Sequence, residues 1–98
     1  MIQNKEKYFK QMKQYLSAFA KGKKMQIFLF GSAVRQERFA DVDIGIKGDE
    51  AEKDIRELKE LFEESTFPFK IDIVNFNTVQ ESFKKNVLLN NKLIWIKR

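Results

Sequence analysis

The sequence contains no cysteine and no histidine, and each absence removes a class of chemistry. Without cysteine, the chain forms no disulfide and has no thiol nucleophile. Without histidine, it lacks the commonest general base and the commonest zinc ligand. Any catalysis must therefore use carboxylates, hydroxyls, lysines or arginines, and any bound metal would have oxygen ligands, which favours magnesium, manganese or calcium.

The sequence is also poor in glycine and proline, and it has no long apolar run. Four glycines and one proline interrupt 98 residues, with no visible linker or repeat, so we expect one domain over residues 1–98. No apolar stretch approaches the roughly 20 residues that span a bilayer. The N-terminus lacks the apolar core of a signal peptide. These absences predict a cytoplasmic protein with no membrane partner.

Charge is present in abundance but is unevenly distributed along the chain. The formal net charge is +5. Residues 1–24 contain seven lysines and one acid, residues 84–98 contain five basic residues and no acid, and residues 49–64 contain eight acids and three bases. A basic surface attracts phosphate groups, whether they belong to a nucleotide, a nucleic acid or another anionic partner.

Hydrophobic periodicity predicts an α+β fold. Helical spacing covers residues 3–20, and strands are expected at Met25–Phe30, Asp41–Lys47, 70–76 and 93–96. A second helix with Ile55, Leu58, Leu61 and Phe62 on its buried side should follow residue 49. The spacing of Thr78 and Glu81 is that of a capping box and predicts the start of a third helix. This order predicts a small mixed sheet with helices packed on one face.

The strand Asp41–Lys47 carries the most informative pattern in the sequence. Val42, Ile44 and Ile46 should face the core, which places Asp41, Asp43 and Gly45 on the opposite face. Two neighbouring carboxylates repel each other unless a cation lies between them, and Gly45 should leave space beside them. In KIDIVNF the same alternation turns Asp72 outward. If these two strands are neighbours, three carboxylates share one patch, which suits Mg²⁺ ions that handle phosphates.

The turn that precedes these acids supplies groups that can bind a phosphate. Gly31 lets the backbone approach an anion closely, and the Ser32 hydroxyl can donate a further hydrogen bond. Arg35 could hold a phosphate with its planar guanidinium. Each feature alone is common in surface turns, but their combination in this order is far more specific.

The combination resembles the nucleotidyltransferase superfamily of DNA polymerase beta, and most of all its minimal nucleotidyltransferases. The matching segments are IFLFGS, AVRQERFA, DVDIGI and KIDIVNF, and the resemblance covers nearly the whole chain. It implies that Asp41, Asp43 and Asp72 are catalytic residues that hold two Mg²⁺ ions. It also implies that Gly31, Ser32 and Arg35 bind the triphosphate of ATP.

The resemblance also implies a partner and a biological role. Minimal members are usually paired with a small helical toxin of the HEPN type, and some transfer AMP from ATP to a tyrosine of that toxin. We therefore expect a protein adenylyltransferase that acts as the antitoxin of a type VII toxin–antitoxin pair. It would work as a homodimer or a hetero-oligomer, and we expect no nucleic-acid partner.

Three other functions stay open from the sequence. A non-catalytic antitoxin would neutralise its partner by contact alone, and the short stretch between Ser32 and Asp41 is compatible with this alternative. A nucleic-acid-binding protein would explain the basic ends, although the sequence contains no base-reading motif. An enzyme with the same chemistry could instead modify a small molecule or an RNA end.

Overall fold

The structure is a computed structural model that describes residues 2–31, 34, 41–90 and 92–98. Within these residues the chain forms three helices and four strands in the predicted order. They are α1 (Ile2–Ala20), β1 (Met25–Phe30), β2 (Asp41–Gly48), α2 (Ala51–Glu64), β3 (Lys70–Asn75), α3 (Glu81–Asn90) and β4 (Ile94–Lys97). The sequence of residues 33–39, which mixes charged residues with alanine, suits a short helix or loop, and this expectation falls largely outside the described residues.

The four strands form one mixed sheet in the order β3-β2-β1-β4. Strand β1 pairs with β2 and with β4 in antiparallel orientation, and β2 pairs with β3 in parallel orientation. The parallel pair is joined through α2, as parallel neighbours require a crossover connection. The predicted mixed sheet is confirmed, and β3 lies directly beside β2.

Both faces of the sheet are covered, because β1 is apolar on both of its sides. Ile27 and Leu29 pack into a core with α1 and α2, where Met12, Leu16 and Leu58 are fully buried. The alternate residues Phe28 and Phe30 face the other side. There they form a second core. Its other members include Val74, Phe76, Trp95 and, from α3, Val87. The prediction that the helices pack on one face therefore holds for α1 and α2, whereas α3 packs on the opposite face of the sheet.

Two details of the helices differ from the sequence expectations. The capping box is wrong, since α3 begins at Glu81 and its first backbone hydrogen bond runs from Lys84 N–H to the Gln80 carbonyl. Thr78 instead belongs to the turn after β3, where its N–H donates to the Asn75 carbonyl. In α2, Leu61 is exposed rather than buried.

In the part of the chain that the structure describes, none of the helices combines the length and the apolar character needed to cross a membrane. The longest, α1, is 19 residues long and contains several charged side chains.

Candidate active site

Strand β2 places its two aspartates on the face opposite the larger core. Val42, Ile44 and Ile46 are completely buried beneath α1 and α2. Because successive side chains alternate across a strand, Asp41 and Asp43 project from the other face. Both are partly exposed. The alternation predicted from the sequence is therefore confirmed.

Strand β3 brings the third aspartate next to this pair. Asp72 is the register partner of Asp43 in the parallel ladder. Ile71 and Ile73 pack against the larger core, so Asp72 projects from the same face as Asp43 and is exposed to solvent. Asp41 lies two residues along β2, about 7 Å from Asp43 along the strand.

The turn at the end of β1 touches this acidic face. Phe30 is the register partner of Asp43, and Gly31 follows it with φ +84°. A Cβ atom at residue 31 would collide with Oδ2 of the Asp43 carboxylate. Glycine is thus required twice, by the left-handed backbone conformation and by the close approach of the carboxylate. Gly31 and Asp43 therefore lie in direct proximity.

Gly45 does not provide the free space that the sequence suggested. A Cβ at residue 45 would lie 2.7 Å from Cε2 of Phe28, its register partner on β1. The absence of a side chain at Gly45 admits an aromatic ring of the second core instead of a ligand. The prediction of space beside the acids is therefore wrong, because a neighbouring strand fills it.

Two of the predicted phosphate-binding residues, Ser32 and Arg35, lie outside the described residues. A residue that the sequence reasoning missed is Lys70, the register partner of Asp41. It is exposed and lies two residues before Asp72 on β3, so the alternation in KIDIVNF already placed it on the acidic face. It brings a positive charge to the site.

The donor set on this face suits a hard divalent cation. Its carboxylates offer only oxygen ligands, which Mg²⁺ prefers. Because Gly31 has no side chain, the backbone of the turn lies directly beside the Asp43 carboxylate. Among the described residues, however, no three acidic side chains are gathered closely enough to hold a metal ion together. The face therefore fits a metal through the adjacent Asp43 and Asp72, with Asp41 at its margin.

The sheet order, the paired aspartates and the glycine turn can be compared with known proteins. A family model described as polymerase beta, nucleotidyltransferase matches residues 10–98. The chain belongs to this family. Searches of curated proteins and of solved structures gave no match.

Membership in the polymerase beta nucleotidyltransferase family confirms the broad part of the resemblance. The match covers every strand and most of α1, and the small α+β architecture agrees with the fold of these nucleotidyltransferases. Transfer of a nucleotidyl group is the general chemistry that this membership supports. The minimal subfamily and the helical toxin partner stay predictions.

Proposed function

We propose that this nucleotidyltransferase transfers AMP from ATP to a tyrosine hydroxyl of a HEPN-type toxin and thereby acts as its antitoxin. The main support is the register pairing of Asp43 with Asp72 beside Gly31. This arrangement offers two adjacent carboxylates to metal-bound phosphates and a turn without a side chain to the rest of the triphosphate. The acceptor is proposed from the resemblance.

In this proposal Asp43 and Asp72 would hold Mg²⁺, and Asp41, at the margin of the site, would add negative charge beside it. When bound, the metal would neutralise phosphate charge and favour ionisation of the attacking hydroxyl. Gly31 would allow the phosphates to approach the backbone at the end of β1. Lys70, across from Asp41, would offset part of the negative charge on this face.

Asp72 is the carboxylate with the most open position, because it is exposed on β3. It would accept the hydrogen bond of the acceptor hydroxyl and orient that oxygen towards the α-phosphorus of ATP. A new oxygen–phosphorus bond would form, the bond to the leaving pyrophosphate would break, and the hydroxyl proton would pass to the carboxylate or to solvent. AMP would remain on the acceptor.

The test uses ATP labelled at the α-phosphate, MgCl₂, the purified chain and a helical partner that co-purifies with it. We expect Asp43→Asn and Asp72→Asn to reduce label transfer about 1,000-fold, which corresponds to about 4 kcal/mol of transition-state stabilisation. Glu60→Gln, an exposed acid on α2, is the matched control and should transfer at the normal rate. Ordinary transfer by Asp43→Asn would contradict the assignment.

The same assay tests the identity of the acceptor separately from the transfer reaction itself. Label on a partner tyrosine that disappears when this tyrosine is changed to phenylalanine would support the proposed acceptor. Label on an RNA end or a small hydroxyl compound would preserve nucleotidyl transfer but contradict the protein acceptor. A tight complex that forms without label, even at high ATP, would favour the contact-only antitoxin.

A further inference from the structure

A shallow, open groove of about 640 Å³ lies at the end of the sheet away from the aspartates. It lies where β1 begins and where β2 and β4 end. Its lining contains five basic side chains and one acidic one: Lys23, Lys24, Lys47, Lys97, Arg98 and Asp49. The fold thus joins the basic residues that follow α1 with those that end β4, although they are about 75 positions apart in sequence.

The floor of this groove is held by hydrogen bonds. The Asn77 side chain donates to the Gly48 carbonyl at 2.5 Å, and the Gly48 N–H donates to Asn77 Oδ1 at 3.3 Å. The Lys97 ammonium group donates to the carbonyls of Ala20 and Lys23, which ties β4 to the end of α1. The other basic side chains of the groove therefore lie on a framework that these hydrogen bonds hold in place.

Only some of these cations are neutralised by the protein itself. Lys23 lies 3.7 Å from Asp54 and 3.7 Å from Glu57. Lys24 and Lys47 take part in no ion pair among the described residues. The Arg98 guanidinium lies 5.2 Å from the centre of the Trp95 ring, an arrangement that keeps its charge. The groove therefore offers uncompensated positive charge.

A second groove of about 520 Å³ continues this surface along α1. It shares Lys97 with the first and adds Lys21 and the polar side chains of Gln14 and Ser17. On the other side, the surface is bordered by Asp49 and Glu50 at the start of α2. The positive surface is thus a track across two adjoining grooves that share Lys97, with acidic residues along one edge, and this extent suits a flexible chain of phosphates better than a single ion.

The track is separate from the acidic face. Lys47 and Asp43 are four residues apart on the same strand, which corresponds to about 13 Å. The end of β2 that carries Asp43 also contacts the Gly31 turn, whereas the end with Lys47 contacts Met25 and its neighbours. A ligand in the track therefore need not occupy the candidate active site.

We propose that this track, formed by Lys21, Lys24, Lys47, Lys97 and Arg98, binds the phosphate backbone of a single-stranded nucleic acid. Positively charged grooves that follow the backbone are the general means of binding such strands, and a single strand can bend along two connected grooves. From the sequence we expected no nucleic-acid partner but left a nucleic-acid-binding protein open. The proposal takes up this alternative, because the structure brings together two basic segments that are far apart in the sequence.

The test measures fluorescence anisotropy of labelled 15-nucleotide single-stranded RNA and DNA with the full chain. We expect binding that weakens as salt increases. In Lys24→Gln/Lys47→Gln the affinity should fall at least tenfold. The slope of log K against log salt should decrease by about 1.4, since two phosphate contacts contribute about 0.7 each. The side chains of these lysines donate no hydrogen bond among the described residues, so the variant should fold.

The matched control is Lys10→Gln/Lys59→Gln, which removes two exposed lysines outside the track. It should bind as the unchanged chain does, and an equal loss of affinity would overturn the proposal. Absence of oligonucleotide binding at low salt would also overturn it. So would complete competition by tripolyphosphate or by polyglutamate at equal charge concentration, since the first indicates a free polyphosphate site and the second an acidic protein partner.

An Asp43→Asn/Asp72→Asn variant separates this inference from the proposed reaction. Its oligonucleotide affinity should equal that of the unchanged chain, because the track lies at the other end of β2. If this variant lost both AMP transfer and oligonucleotide binding while still folded, the nucleic acid would be bound at the acidic face and the track assignment would be wrong.

Discussion

Gly31 and Asp43 limit each other's positions at the end of β1. The backbone of residue 31 has a left-handed conformation, and the Asp43 carboxylate occupies the space where a Cβ would lie. Gly22 has nearly the same conformation, φ +79°, but apart from its chain neighbours no described residue has an atom within 4 Å of its Cβ position. A comparison of the two glycines therefore distinguishes the effect of the left-handed backbone, which both share, from the effect of the contact with the carboxylate, which only Gly31 makes.

Gly31→Ala should lose both stability and AMP transfer, whereas Gly22→Ala should lose stability alone. Each change imposes a left-handed alanine, which costs about 1–2 kcal/mol of unfolding free energy. Gly31→Ala adds a collision that must displace Asp43. Urea unfolding measures the first effect, and label transfer from ATP measures the second. Normal transfer by a folded Gly31→Ala variant would show that the position of Asp43 is not critical.

At this same scale, alternation was enough to predict which acids share a face. It placed Asp41 and Asp43 correctly, and it placed Asp72 correctly because its neighbours Ile71 and Ile73 are apolar. It failed at Gly45, since the space above a residue is decided by the strand beside it, here by Phe28. Ser32 and Arg35 stay predictions.

At the scale of elements, the central strand β1 contributes side chains to both hydrophobic cores. The segment MQIFLF is apolar at almost every position, which indicates a strand buried on both faces. The bounds of β1 could be predicted from that segment. Since both faces of β1 are apolar, the pattern also indicates that other elements must cover the face of the sheet opposite α1 and α2. The position of α3 could not be predicted from its own sequence, because Val87 is the only buried residue among the described side chains of this helix.

The contact between Gly45 and Phe28 predicts a coupled pair of mutations across these strands. Gly45→Ala alone should destabilise the fold by about 1–3 kcal/mol, since its methyl group would overlap the Phe28 ring. Phe28→Leu alone should also destabilise it, because Phe28 contacts the rings of Phe76 and Trp95. The double variant should be more stable than the sum predicts by about 1 kcal/mol.

Thermal or urea unfolding of the four proteins in this cycle measures the coupling. Strict additivity of the two single effects would mean that the alanine methyl group does not meet the ring. The β1–β2 pairing would then have to shift locally to accommodate residue 45.

At the scale of the whole molecule, charge is separated along the sheet. Carboxylates of β2 and β3 lie on one face near the Gly31 turn, and cations from both ends of the sequence meet where β2 ends. The sequence shows that these segments are charged, but the meeting depends on β4 pairing with β1, a long-range contact that local patterns do not encode. The same pairing brings Lys97 to the end of α1.

The hydrogen bonds of Lys97 therefore indicate how the last strand stabilises the first helix. Its ammonium group donates to the carbonyl of Ala20, the last residue of α1, and to that of Lys23 in the turn after it. Lys97→Met keeps most of the apolar stem but removes both donors, so we expect a loss of about 1.5–3 kcal/mol of unfolding free energy. For a domain of this size, each kcal/mol lowers the melting temperature by about 4–8 °C. Lys92→Met, at an exposed position before β4, is the control and should melt normally. Equal melting temperatures for the two variants, measured without nucleic acid, would mean that water replaces the Lys97 ammonium at no cost and that β4 holds α1 by apolar contacts alone.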